Sequence, residues 1–346
     1  MILILTLSIL DQLMDRERHE LYDHLLKRNP SKLFYVDKIS HRIIQEFIDR
    51  HWKQLSCIVY EEPIWHVKAG VTAKHFLFRI PTHCLSTSVI SDFFLNTIYA
   101  RYFFGRLRVD HLFTYHESSL TTVAQYSQSL RGVTLLPPSI RPQDYLAPIK
   151  KDIPLLYASH SKPFTPLRNY IYDILASSNI AVHTLPYPGT RRSRLSHSVI
   201  GSQYIELLRR SYFVITCSTQ WNLSLRKYWE IGASSATPVG CSTMLPEHSL
   251  VTQNIVPISL DTPPSTLIAT VASALENRDL HYAKAQLLAP KFLANYSIDS
   301  MAAHFAQVVH FYRNEKVSFP SRSCHRLSVR HAVSDFLRIA SSLNAF

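Results

Sequence analysis

The chain has no CxxC pair, since its five cysteines stand apart at positions 57, 84, 217, 241 and 324. That spacing offers neither a structural zinc site nor a dithiol redox centre. Cys57 and Cys217 lie in apolar, strand-like runs, which points to buried, reduced thiols and a reducing, cytoplasmic setting. No apolar run reaches membrane-spanning length. The opening ILILTLSIL is short and lacks a basic leader and a small-residue cleavage site, so it reads as a first core strand rather than a signal peptide. Internal repeats and low-complexity tracts are missing too. With no long Lys/Arg tract, zinc-finger spacing or RNA-recognition aromatic motif, a specific nucleic-acid partner is not expected.

What is present fits a folded protein: 346 residues, 46% hydrophobic and 18% charged, enough for two domains. The net charge of +12 implies an anionic partner, and by itself does not choose among a nucleotide-sugar, an acidic lipid surface and nucleic acid. The basic residues come in small groups such as Arg106/Arg108, Lys150/Lys151, Arg191/Arg192/Arg194, Arg209/Arg210 and Arg226/Lys227.

Strand-like and helix-like segments alternate along the chain, the mark of a parallel α/β sheet. In the first half LFYV at 33–36, CIVY at 57–60, FLFRI at 76–80, HLFTYHES from 111 and VTLLP at 133–137 read as strands. Segments 11–28, 39–52, 86–104 and 119–130 read as helices. PPSIRPQDYLAPIKKDIP, 137–154, is proline-rich and aperiodic, and it divides an N-terminal domain, 1–137, from a linker, 138–153, and a second domain, 154–315. The second half repeats the alternation, with strands IPLLYAS, IAVHTLP, SYFVIT and NIVPISL and a helical close. A linker and a further amphipathic helix occupy 316–346, the helix carrying Val329, Val333, Phe336, Leu337, Ala340 and Leu343 on one face.

Residues 207–240, LLRRSYFVITCSTQWNLSLRKYWEIGASSATPVG, form one strand, loop, helix, turn, strand unit. Its polar groups gather at element ends, where an open parallel sheet binds ligands. The run Arg226-Lys227-Tyr228-Trp229-Glu230-Ile231, the small residues after it and Pro238-Val239-Gly240 resemble the donor-binding signature of GT-B glycosyltransferases of the group-1, CgeB-like and exostosin-like branches. The likeness is strongest over 150–312 and architectural over 1–137. It implies an α/β fold of two Rossmann-like domains facing a cleft, with the C-terminal helix packing back on the first domain or binding a partner. It also implies transfer of a hexosyl or pentosyl group from a nucleotide-sugar donor to a glycan, lipid-linked or protein hydroxyl.

By this resemblance Glu230 accepts hydrogen bonds from the nucleotide ribose, and the small residues let backbone approach the donor. Lys162 and Arg168, in and after the first βα loop of the second domain, and Arg226 neutralise the donor phosphates. Arg191 or Arg192, in the loop PGTRRSRLSHS, could grip a diphosphate or an acidic acceptor, while an exposed basic loop is the equal alternative. The sequence departs from the family in two places. Asn222 stands where retaining members carry a first glutamate, so stereochemistry does not follow, and the Lys162 loop lacks glycine. No clear DxD motif is present, and no metal or other cofactor is expected, cations and helix N-termini taking the metal's task. On the acceptor side, the loop Glu61-Glu62-Pro63-Ile64-Trp65-His66 follows a strand, and Glu62 and His66 are the first candidates for a catalytic base. A solvated turn capped by Trp65 is the structural alternative. A non-catalytic relative that binds glycan or nucleotide within a glycan-assembly complex is the second reading of the whole chain.

Overall fold

The computed structural model describes residues 1–6, 16–28, 30–61, 77–90, 109–114, 132–147, 149–158, 165–185, 202–218, 225–241 and 250–314. Two compact units emerge: Met1–Pro137 with the chain from Ala302 on, and Pro138–Met301.

In the first unit β1 (Ile2–Thr6), α1 (Arg16–Arg28), β2 (Ser31–Tyr35), α2 (His41–Arg50), β3 (Cys57–Glu61), β4 (Leu85–Ile90), β5 (His111–Thr114) and β6 (Gly132–Leu135) build a six-stranded sheet. All pairings are parallel, in the order β2-β1-β3-β4-β5-β6. β1 and β3 are buried along their whole length. Strands covered on both faces read as near-continuous apolar runs, which is why ILILT and CIVY lack period-two alternation. Ile44 and Ile48 of α2 pack with Leu3, Leu5, Ile58 and Tyr60, each side chain stabilising the unit by about 1.5–3 kcal/mol when fully buried.

One strand lies elsewhere than its hydrophobicity suggests. Residues 77–80 of the apolar FLFRI are not strand, while LSTSVI, expected to open a helix, is β4, with every residue buried. Its polar side chains are satisfied across the ladder: Thr87 Oγ1 donates to Ile58 O at 3.2 Å and Ser88 Oγ to Tyr60 O at 3.1 Å. Hydroxyls paired in this way travel into a sheet interior.

The second unit contains β7 (Ile153–Ala158), α3 (Pro166–Ala176), β8 (His183–Leu185), α4 (Ser202–Arg210), β9 (Ser211–Ile215), α5 (Lys227–Ala233), β10 (Thr237–Gly240), β11 (Val256–Pro257), α6 (Pro264–Glu276) and α7 (Arg278–Asn295). Its sheet is parallel as well, in the order β11-β10-β9-β7-β8. Side chains alternate between two cores. Leu155, Tyr157, Phe213 and Ile215 meet Leu167, Ile171 and Leu267, whereas Leu156, Ala158 and Val214 meet Ile205, Leu208 and Ile231. Ile140, from the proline-rich stretch, is buried beside Tyr228 and Trp229, and bridges to Ser297.

Both sheets thus have the doubly wound pattern of Rossmann-like domains, and both reverse strand order next to their first strand: between β1 and β3, and between β7 and β9. The last helix among the described residues, α8 (Ile298–Asn314), belongs with the first unit from Ala302 on. There Phe305 stacks on Phe113 at 4.4 Å, and Tyr312 lies 4.4 Å from the ring of His111. A Cβ on Gly132 would stand 2.0 Å from the Tyr312 hydroxyl, so a side chain there would displace that ring. The helix expected at 329–343 lies outside the described residues. Among the described residues no helix is long and apolar enough to cross a membrane.

Candidate functional site

Where strand order reverses, the two crossover connections leave on opposite faces of the sheet, opening a crevice at the carboxyl ends. In the second unit that place lies beyond Ala158 of β7 and Ile215 of β9. Two buried charged residues of the unit, Arg168 and Glu230, come from the helices that follow these strands.

Arg168 enters on the first turn of α3, whose start is marked by Pro166 at its first position. Its side chain is 2% exposed, and Nε and Nη1 find no hydrogen-bond partner among the described residues. A cation in the first turn of a helix also opposes the helix dipole. Arg168 therefore carries two unfavourable terms, and a bound anion would relieve both.

Glu230 comes from α5 and is 7% exposed. Its Oε1 lies 3.0 Å from Arg226 Nε, and its Oε2 accepts from the Tyr204 hydroxyl of α4 at 3.4 Å. Burial and then the charge of Glu230 push the Tyr204 phenol well above its ordinary range, so it stays a donor. Lys227 donates from Nζ to Ala158 O at the end of β7 and sits 5.6 Å from the Tyr204 ring centre. Burial and then Arg168 press its ammonium well below the usual lysine value, with Glu230 pulling the other way. Cys217, just past β9, is a free thiol pushed up to about 11 by burial. Such a thiol is inert.

Three of the seven site residues named from sequence are thus described. Arg226 and Glu230 touch, and Arg168 acts electrostatically on their neighbours Tyr204 and Lys227. Lys162, Arg191, Glu62 and His66 lie outside the described residues. Sequence reasoning passed over Lys227 and Tyr204. Lys227 stands inside the run 226–231, but its interest comes from an acceptor 69 positions away in the chain. Tyr204 carries no signal that sets it apart from any other aromatic of an amphipathic helix.

The small residues after Glu230 serve packing here. Gly232 lies under Phe292 of α7, whose ring would stand 2.4 Å from an added Cβ. Ser234 turns its hydroxyl onto Glu230 O at 2.7 Å. Gly240 passes so close to Thr216 that a Cβ would meet its carbonyl oxygen at 1.8 Å.

In the first unit the corresponding reversal is crossed by a side-chain hydrogen bond. Thr6, the last residue of β1, donates from Oγ1 to Glu61 Oε2 at 2.6 Å, and Glu61, the last residue of β3, is fully buried. Sequence reasoning singled out its neighbour Glu62 instead.

No protein-family model matches the sequence, and no curated protein matches it. Solved structures do match in three dimensions. A glycosyltransferase from Rickettsia africae ESF-5 aligns with a TM-score of 0.57 at 10% identity, over 91% of this chain and 98% of its own. HepE from Anabaena, solved with UDP and glucose, aligns at 0.55 and 11% identity, over 90% and 99%. This chain has the GT-B fold. TarM, a protein of S. aureus, aligns at 0.52 and 9% identity over 76% of this chain, which spans only 57% of the length of TarM. At such identities the shared property is the GT-B architecture itself, and the chemistry must be argued from the residues.

Proposed function

We propose that this GT-B chain is a glycosyltransferase that takes a nucleotide-sugar donor in its second unit. The observation that carries the reading is Arg168, a buried guanidinium with two donors unpaired among the described residues, set at a strand-order reversal where its charge and that of Glu230 both act on Lys227. A diphosphate supplies the missing negative charge. Glu230, held between Arg226 and Tyr204, offers acceptor oxygens to the two hydroxyls of a ribose. HepE, solved with UDP, supports the same choice of ligand.

In transfer, the bond between the sugar's anomeric carbon and the phosphate oxygen breaks, and the pair of electrons stays with the diphosphate. Arg168 and the first turn of α3 would stabilise that developing charge, with Lys162 and Arg191 as further cations and no metal needed. The acceptor hydroxyl of a carbohydrate or glycolipid would lose its proton to a base on the first unit, for which Glu62 and His66 remain the candidates. A peripheral contact with acidic membrane and a cytoplasmic location belong to the same proposal. The first rests on the net charge of +12, the second on the buried free thiols Cys57, Cys84, Cys217 and Cys241.

The test is a thermal-shift screen with UDP, GDP, CMP, ADP and dTDP, followed by transfer or donor hydrolysis with the sugar form of the nucleotide that stabilises. Stabilisation by one nucleotide with turnover of its sugar supports the reading. Stabilisation without turnover favours a non-catalytic binding protein, and no response to any nucleotide removes the donor site.

A further inference from the structure

The charges around Lys227 do not balance. Arg168 from α3, Arg226 and Lys227 are three basic groups, and Glu230 is the one carboxylate described among them. Arg226 and Tyr204 already hold that carboxylate. Lys227 is left with a neutral acceptor, the carbonyl of Ala158, with the face of the Tyr204 ring and with the protonated thiol of Cys217. Arginine keeps its proton in any protein environment, so lysine is the basic group here that can yield one.

We infer that Lys227 is a proton-exchanging phosphate ligand: uncharged in the empty site, it takes up one proton from solvent when a nucleoside diphosphate binds beside Arg168. The inference rests on the proposed donor site and adds to it the residue that adjusts charge. The proton balance is simple. The empty site holds Arg168, Arg226 and Glu230 as ions with a neutral amine. The occupied site gains the anionic diphosphate, and the amine gains a proton from water or buffer, becoming an ammonium within reach of the phosphate oxygens. Burial and the charge of Arg168 push the free amine down to about 7, the direction this charge count demands. A diphosphate nearby opposes both causes, so the affinity of the amine for protons rises on binding.

The consequence for the reaction concerns the product. A leaving diphosphate carries more negative charge than the sugar-linked donor, so an ammonium at Lys227 is held more firmly after the bond breaks. Release of the nucleotide is then coupled to loss of that proton and becomes easier as pH rises.

The experiment is titration calorimetry of the full chain with UDP at pH 8.5 in buffers of differing ionisation enthalpy, which counts protons exchanged on binding. Above pH 7.5 the terminal phosphate is fully ionised, its last pKa being about 6, so it contributes nothing. Uptake of about one proton, with Kd rising about tenfold per pH unit between 7.5 and 9.5, is the expected result. Lys227→Arg, with a permanent charge, should bind without uptake and with a flat pH profile, and Lys227→Met should bind more weakly, also without uptake. Both variants are first checked by thermal melting. Competitive acylation of the ligand-free protein gives a readout that needs no variant. Lys227 should react as an amine of depressed pKa, and behaviour near the ordinary 10.4 would overturn the inference. UDP binding without proton uptake refutes the proton exchange but leaves the donor site standing. Failure of both UDP and inorganic pyrophosphate to bind removes the two together.

Discussion

Arg226 sets its guanidinium Nε 3.0 Å from Glu230 Oε1, one helical turn along, while Tyr204 reaches the other carboxylate oxygen. The carboxylate is fixed in place before any ligand arrives. A preoriented acceptor loses little entropy on binding, so removing it should show mainly in nucleotide affinity. Glu230→Ala is expected to weaken UDP binding by about 1–3 kcal/mol in a protein that still melts cooperatively. Unchanged affinity, measured by calorimetry, would take the ribose role away from Glu230.

Arg168 should show the opposite division between stability and binding. Replacing a poorly paired buried ion by an apolar side chain of similar length is often neutral or stabilising, by up to about 4 kcal/mol. Arg168→Met is therefore expected to leave urea stability unchanged or to raise it, and to weaken UDP by at least about 1.5 kcal/mol through lost charge-assisted bonds. A clear drop in the urea midpoint would mean that the guanidinium has structural partners that outweigh its missing anion.

These two residues also measure what sequence could say. The second unit was legible because local signals agreed there. A leucine-rich helix, the β-branched SYFVIT and a polar break mark α4 and β9, and Pro166 marks the start of α3. Glu230 and Arg226 sit one turn apart on one helix, so spacing alone brings them together. Tyr204 and Ala158 join them only through the parallel pairing of β7 with β9 and the helices that flank it. Contacts of that range leave no periodic trace. β4 escaped for another reason: its hydroxyls resemble surface residues until their acceptors on β3 are known.

Away from the site, Lys151 gives stability a pH dependence. It is buried with Nζ donating to Ser211 O at 2.7 Å and Ser234 O at 2.9 Å, and burial with the charge of Arg209 pushes it down from 10.5 to about 7. Below pH 7 folded and unfolded chains both hold the proton, and the full penalty of a buried charge is present. Between 7 and 10.5 the unfolded chain holds more protons, so stability rises with pH, by up to about 1.4 kcal/mol per unit. Lys227 acts in the same direction. Urea midpoints from pH 6 to 9 should climb for the wild-type chain and climb less for Lys151→Met. A wild-type midpoint that falls over this range would contradict the assignment.

Gly232 tests the packing beneath Glu230. Its missing side chain makes room for the Phe292 ring, so Gly232→Ala should overpack the contact between α5 and α7 and cost about 1–3 kcal/mol. Phe292→Leu alone opens space. Together they should cost less than their sum, with a coupling of about 0.5–3 kcal/mol in a double-mutant cycle. Additive losses would show that the two side chains do not share the space.

Thr6 and Glu61 tie the ends of β1 and β3 where the first sheet reverses strand order. A hydrogen bond of 2.6 Å to a carboxylate is short and charge-assisted, and it lies where no water reaches Glu61. Thr6→Val keeps the shape of the side chain and deletes the donor, so the carboxylate stays buried with one bond fewer. The expected cost is about 1–3 kcal/mol in urea unfolding, larger than that of Thr6→Ser, which keeps the hydroxyl but loses a methyl group. Equal stability of Thr6→Val and wild type at neutral pH would show that the bond contributes nothing and that β1 and β3 are held by their ladder alone.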